Sequence, residues 1–294
     1  MQASFFTPSY IGDLDRAVWM RRSIRKYFKS NCQHIIAVPK EHMPEFRSAL
    51  KDDKDVEIVS QQDVVSELFY PDFLYKLIGK IAKHQLWRFE KHAGRPGWII
   101  QQIVKLACNH WVDEGAVVFI DSDLIFIRPF DLMDLGLTDT TRTLVRITPK
   151  DESSKHRSHV DQSRRILSLP PGSSEHHYMA YPTIWYVDWL KELHNYIQNT
   201  ANSDWQKAMY TAKHISEYTI YGVFVEEVLK PANLSIRARP FNIIAWDLAS
   251  FESTKTRMLN AEDSEDDRIS LVIQSNLKIP TSAYEDLLRH IICQ

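Results

Sequence analysis

The segment VVFIDSDLIFIRPFDL, Val117 to Leu132, constrains the fold more than any other part of the chain. A continuous run of Val, Ile and Phe marks a strand covered by helices on both faces, as in a parallel sheet. Two carboxylates, Asp121 and Asp123, interrupt that run. One unpaired carboxylate in such a place is costly, and two side by side repel. Either the acids sit at the end of the strand and hold a cation, or the segment is not a buried strand.

The flanking pattern favours a strand. A short apolar element, Ser4-Phe5-Phe6, runs into the polar turn Thr7-Pro8-Ser9-Tyr10. Leu14, Ala17, Val18, Ile24 and Phe28 then share a helical face from Asp13 to about Lys29, with Asp13 as the expected N-cap. HIIAVP reads as a strand, EHMPEFRSAL as a helix and Val56 to Val59 as a further strand. Such alternation predicts an α/β fold with a mostly parallel central sheet flanked by helices.

The helix expected over Gly94 to Val112 has Pro96 in its first turn and is apolar on most sides. Gln101, Lys105 and Asn109 recur every four residues as one polar stripe, facing either solvent or something charged. Asp139 to Ser174, rich in Arg, Lys, His and Ser, reads as a long basic loop. Beyond it a helix is expected over about Thr183 to Gln198. Another is expected in SEYTIYG, with Ser216 as its N-cap and Glu217 in its first turn. AEDSEDDR reads as an exposed acidic loop before the strand LVIQS.

Composition narrows the function classes. A net charge of −2 over 294 residues gives no footprint for nucleic acid. No apolar run reaches the roughly 20 residues that cross a bilayer, and MQASFFTPSYIGD lacks the layout of a cleaved signal peptide. Cys32, Cys108 and Cys293 are odd in number and far apart, which predicts reduced thiols and a cytoplasmic protein.

Residues two apart on an extended chain project together, so Asp121 and Asp123 would present two hard oxygen donors suited to Mg²⁺ or Mn²⁺. Open α/β sheets bind ligands at the carboxyl ends of their strands, where VVFI would deliver them. D-x-D alone is a weak signal, compatible with a surface turn or an N-cap. Here it lies between apolar segments and is followed by Arg128-Pro129-Phe130.

In that setting the segment resembles the metal-binding motif of GT-A glycosyltransferases. FFTPSYIGD, GWIIQQIVKL, VFIDSDLIFIRPF, HYM (His177 to Met179) and SEYTIYG occur in the same order in a bacterial glycosyltransferase-like family, itself a domain of unknown function. The likeness runs from about Phe5 to Gln274 and is weakest across the basic loop.

The resemblance implies a single GT-A (Rossmann-like) domain over 1–294. About 1–135 would hold the nucleotide-sugar, and about 136–294 would form the acceptor side, with the basic loop near 139–174. Thr7, Pro8 and Tyr10 would lie near the base and ribose. Gln101, Gln102 and Lys105 would face the donor's phosphates or sugar. Asp121, with Ser122 between the acids, would approach ribose and metal, and Asp123 would ligate Mn²⁺ or Mg²⁺ directly. The further histidine ligand common in the family has no equivalent, because His290 lies past the last clear strand.

Glu217 is the candidate general base for an acceptor hydroxyl, which would favour inversion; otherwise it caps its helix. His177 is a candidate for donor or acceptor binding, or else a structural histidine. The basic loop would close over a diphosphate, meet an anionic acceptor or simply be solvated.

The implied partners are a nucleotide-diphosphate sugar, with UDP favoured, and a glycan or lipid-linked acceptor. Their setting would be bacterial surface polysaccharide or lipopolysaccharide synthesis, with peripheral contact at the inner face of the membrane. Two other readings stand beside this one. A GT-A-like module could bind nucleotide or glycan without turnover. A haloacid-dehalogenase-type phosphohydrolase would also use D-x-D, but its motif opens the domain, whereas about 120 residues precede this one, and Ile125 stands where Thr or Val is expected.

Overall fold

The short apolar runs become the strands of a five-stranded sheet in the computed structural model, which describes residues 2–65, 96–148, 154–172, 176–201, 204–212, 214–259 and 268–293. In chain order, β1 (Ala3–Pro8), α1 (Leu14–Tyr27), β2 (Gln33–Val38), α2 (Met43–Ala49), β3 (Val56–Ser60) and α3 (Gln62–Val65) come first. They are followed by α4 (Pro96–Leu106), β4 (Ala116–Phe119), β5 (Leu124–Phe126), β6 (Arg142–Val145) and α5 (Ser154–Ile166). Next are β7 (Thr183–Tyr186), α6 (Val187–Ala201), α7 (Trp205–Thr211) and α8 (Glu217–Val223), the last running into a π-helical turn, Phe224–Leu229. The chain closes with β8 (Leu234–Arg237), β9 (Asn242–Ala245), α9 (Leu248–Leu259), β10 (Ser270–Ile273) and α10 (Glu285–Cys293).

The main sheet has the order β3-β2-β1-β4-β7. Its first four strands are parallel, and β7 joins the edge antiparallel to β4. A second sheet, β5-β10-β9, and a pair, β6-β8, complete the fold. This is the mixed, mostly parallel α/β architecture expected from the sequence. The inner strands are buried on both faces: Phe5, Phe6, Ile35, Ile36, Val117, Val118 and Phe119 are all inaccessible to solvent. Among the described residues, no helix is long and apolar enough to cross a membrane.

Several local expectations are corrected. Thr183 to Tyr186 begins no helix; Thr-Ile-Trp-Tyr is β-branched and aromatic, and it pairs with β4 before the chain turns helical at Val187. The basic stretch contains β6 and α5 rather than loop throughout. Asp13 ends a short 3₁₀ turn and makes no capping bond; its carboxylate accepts from Arg16 at 2.8 Å instead. Ser216 caps α8 as expected, accepting from Thr219 N–H. Apart from Arg268, the acidic segment 261–268 lies outside the described residues.

A buried polar chain ties the first two strands together. The Thr7 hydroxyl donates to the Ile120 carbonyl, so its contact at 2.8 Å with His34 must be donated by His34 Nε2–H. Nδ1 is then left to accept from Arg21 at 3.0 Å. A second proton on His34 would face the guanidinium, and burial, with Arg21 beside it, holds its pKa well below the ordinary histidine value. His194 is buried too, and burial lowers it to about 4.

The unfolded chain therefore takes up protons below about pH 6.5 that the folded chain refuses, and stability falls as pH falls. We expect His34 to contribute a loss of about 1.4 kcal/mol per pH unit in that range. Urea unfolding at pH 6.5 and 5.0 checks this. His34→Gln should show a slope against pH shallower by about one proton, and equal slopes would refute the assignment.

Candidate functional site

The sheet order places a crevice by itself. From β1 the chain moves outward through β2 to β3, then returns to the other side of β1 as β4. The loops after β1 and β4 therefore diverge, and an open α/β sheet binds ligands at such a switch point. A cleft of about 610 Å³ lies there. Pro8, Ser9 and Tyr10 line it from the end of β1, and Asp121, Ser122 and Asp123 from the end of β4. The two loops are tied together by Ser122 Oγ donating to Ser9 Oγ at 2.8 Å.

The remaining walls follow the same logic. Pro39 comes directly after β2 and Gln61 directly after β3, while Gln274, Ser275 and Asn276 follow β10. Gln61 also holds the β1 loop in place, its amide donating to the carbonyls of Ser9 and Ala37 at 3.0 and 2.9 Å. Trp98 and Gln101 enter from α4, and Tyr181 from the turn before β7. Tyr10 is 51% exposed and Trp98 38%, so two broad aromatic surfaces remain open at the cleft.

Beneath the cleft lies a buried charge cluster. Lys105, 2% exposed, projects from α4 and contacts Asp121 Oδ1 at 2.9 Å and Glu217 Oε1 at 3.4 Å. It also bonds the Tyr218 hydroxyl and lies 4.6 Å from the centre of that ring. Burial opposes its charge, but Asp121 and Glu217 outweigh burial and raise its pKa.

Helix α8 delivers Glu217 and Tyr218 because it packs on β7. Tyr221 stacks on Trp185 with ring centres 4.7 Å apart, and its hydroxyl accepts from Tyr186 N–H. The N-terminus of α8 is pinned to α4, where Gln102 Oε1 accepts from Glu217 N–H at 3.1 Å.

Asp123 is in a different position. One of its oxygens accepts from Ser275 N–H at 3.0 Å. Burial first, and Asp121 second, push its pKa up to about 7, with Asp13 adding to the effect. Among the described residues, the carboxylates of Asp13, Asp121, Asp123 and Glu217 meet two cations, Lys105 and Arg16, in this cluster. The acids outnumber the cations by two, a surplus that a divalent ion would offset.

Asp121 and Asp123 thus fit a hard cation that takes its other oxygens from water and phosphate. Among the described residues there is no group of three His, Cys, Asp or Glu placed as a complete metal shell.

Of the residues singled out in the sequence, Pro8, Tyr10, Gln101, Asp121, Ser122 and Asp123 line the cleft. Thr7 and Gln102 point inward as structural ties, and Lys105 lies below the floor, on Asp121. His177 is not on the cleft wall; its backbone pairs with Ile147 and its ring lies 4.6 Å from that of His156. Glu217, 4% exposed, is not on the wall either. Asp13, Gln61, Trp98, Tyr181 and the Gln274–Asn276 turn are additional. Most of the sheet-borne ones could have been found by taking the residue after each parallel strand.

Comparison with known proteins adds the fold. Residues 5–292 match the model of a family described as a family of unknown function (DUF6492). No curated protein matches by sequence. Among solved structures, the bifunctional glycosyltransferase WbbM in its apo form gives a TM-score of 0.53 at 11% identity, covering 99% of this chain and 49% of that one. The chain thus spans about half the length of WbbM. The apo form of mouse xyloside xylosyltransferase 1 gives 0.47 at 9% identity, covering 95% and 100%. The likeness to WbbM shows a glycosyltransferase-type α/β fold and, at that identity, the fold alone.

Proposed function

We propose, on the premise that the chain belongs to the family of unknown function DUF6492, that it is a glycosyltransferase using a nucleotide-diphosphate sugar. The observation that carries this reading is the meeting of two loops at the switch point. Pro8–Tyr10 offers an open aromatic surface, and Asp121–Asp123 offers carboxylates in need of positive charge. A nucleoside diphosphate matches both ends of that cleft.

In this reading the base lies against Tyr10 and Trp98, and the diphosphate lies over Asp121 and Asp123. These two acids would hold Mn²⁺ or Mg²⁺, which offsets the charge of the departing diphosphate. Gln101 and Ser122 offer hydrogen bonds to phosphate or sugar oxygens. Lys105 pairs with Asp121 and fixes it from below. Glu217, paired with that lysine away from the cleft wall, is proposed as the residue that positions Lys105. The acceptor is proposed to be a glycan or a lipid-linked glycan.

Calorimetric titration of UDP and GDP, with and without Mn²⁺, tests the reading. One nucleotide, with UDP favoured, should bind only when the metal is present. Tyr10→Ala should weaken it about tenfold, the usual loss for one base–aromatic stack. If neither nucleotide bound under any metal condition, the donor assignment would fall. Binding with no transfer to any glycan would instead leave a binding module.

A further inference from the structure

Asp123, Ile273 and Ala245 lie side by side across the second sheet. Val272 is opposite Leu124 in the antiparallel β5–β10 pair, and Ile273 is opposite Ala245 in the parallel β10–β9 pair. Ile273 N–H donates to the Asp123 carbonyl, which continues that register by one residue. Two strand spacings, about 10 Å, therefore separate the backbone of Asp123 from that of Ala245. The residues that follow, Trp246 and Leu248, are each 61% exposed.

Their backbone is anchored at the head of α9. The backbone N–H groups of Trp246 and Asp247 both donate to Ser250 Oγ at 3.0 Å, and Asp247 Oδ1 accepts from Ser250 N–H at 2.7 Å. This reciprocal cap at the head of α9 holds the backbone that carries an exposed indole, a surface whose burial would otherwise have stabilised the chain. Gln274 follows Ile273 as Trp246 follows Ala245, so their backbones are neighbours in the register, and the side chains of Gln274 and Asn276 line the cleft.

We infer that Trp246 is the stacking platform for a neutral pyranose ring of the acceptor glycan, with Gln274 and Asn276 addressing its hydroxyls. The inference rests on the reading of the cleft as the donor site. The C–H face of a pyranose is weakly positive and suits the negative face of an indole, and amides both donate to and accept from hydroxyls. A spacing of about 10 Å leaves room for one donor sugar between the diphosphate over Asp123 and the acceptor ring. A bilayer contact would suit the two apolar side chains, but Asp247 stands exposed between them, and an anionic membrane surface repels an acid.

Saturation-transfer NMR with methyl pyranosides of glucose, galactose, mannose and N-acetylglucosamine tests the inference, with UDP and Mg²⁺ present and then absent. At least one glycoside should receive saturation on one ring face. Trp246→Ala should weaken that signal about fivefold or more, while Trp246→Phe keeps it. No saturation with any glycoside, or equal signals in wild type and Trp246→Ala, would overturn it. So would unchanged glycoside signals in Trp246→Ala together with lost sedimentation on phosphatidylcholine–phosphatidylglycerol vesicles. A glycoside signal that depends on Trp246 while neither nucleotide binds would leave the platform standing and remove the donor reading.

Discussion

Asparagine in place of Asp123 is expected to weaken metal-dependent nucleotide binding by about 100-fold or more, since even outer-shell changes at metal sites cost 10- to 100-fold. The substitution is nearly isosteric and its amide oxygen can still accept from Ser275 N–H, so the loss reports charge rather than shape. Stability of the metal-free protein should move the other way. Asp123 is recessed beside Asp121 and Asp13, and both repel it. Removing its charge should leave the metal-free variant as stable as wild type or stabilise it by about 1–2 kcal/mol, as relief at a strained site commonly does.

Calorimetry, with thermal melts with and without Mn²⁺, reads both effects. Wild type should gain stability from the metal and Asp123→Asn should not. Equal nucleotide affinity in the two proteins would refute a metal at this acid.

Lys105→Met should be the most destabilising single change in the site. Its ammonium is the shared partner of Asp121 and Glu217, and removing it leaves both acids without their cation. Deleting one member of a buried ion pair typically costs about 3–5 kcal/mol, because the other charge stays buried. Adding Glu217→Gln or Asp121→Asn to Lys105→Met should recover a large part of that loss, since each removes one of the orphaned charges. Urea unfolding of the single and double variants gives the coupling directly. A Lys105→Met protein within about 1 kcal/mol of wild type would show that the cluster does not depend on this ammonium.

The two experiments separate the two acids of the motif. Asp121 has its counter-ion within the protein, so its role is partly structural. Asp123 has Ser275 N–H and a surplus of negative neighbours, which is the situation an external cation resolves.

Period and composition carried much of the fold. β2, β3, β4 and β10 were legible because each is a short apolar run bounded by polar or turn residues. The polar stripe of α4 was legible in spacing, and the structure decided between its two readings: Lys105 faces two carboxylates, and Gln101 faces the cleft. In sequence Thr183 to Tyr186 reads as helix because it runs without a break into a true helix. Its pairing with β4 is a long-range contact that no local window contains. The strand in the basic stretch is invisible locally for a similar reason, since β6 exists only through its partner β8, about 90 residues away.

The order of residues along the chain sets the chemistry available: two acids two residues apart at a strand end, a lysine on the preceding helix, and a Pro-Ser-Tyr turn after the first strand. Local spacing fixes which of these project together, because strand and helix periods are properties of the backbone. Tertiary structure alone decided which groups meet. It drew Thr7 and Gln102 into the interior, left His177 off the cleft wall and placed Glu217 under the floor. It also brought Gln274–Asn276 against Asp123 and set Trp246 one strand beyond. The contacts of Gln102 with Glu217 and of Asp123 with Ser275 join residues more than 100 positions apart, and such partners are selected by sheet order and register, which depend on the packing of the whole core.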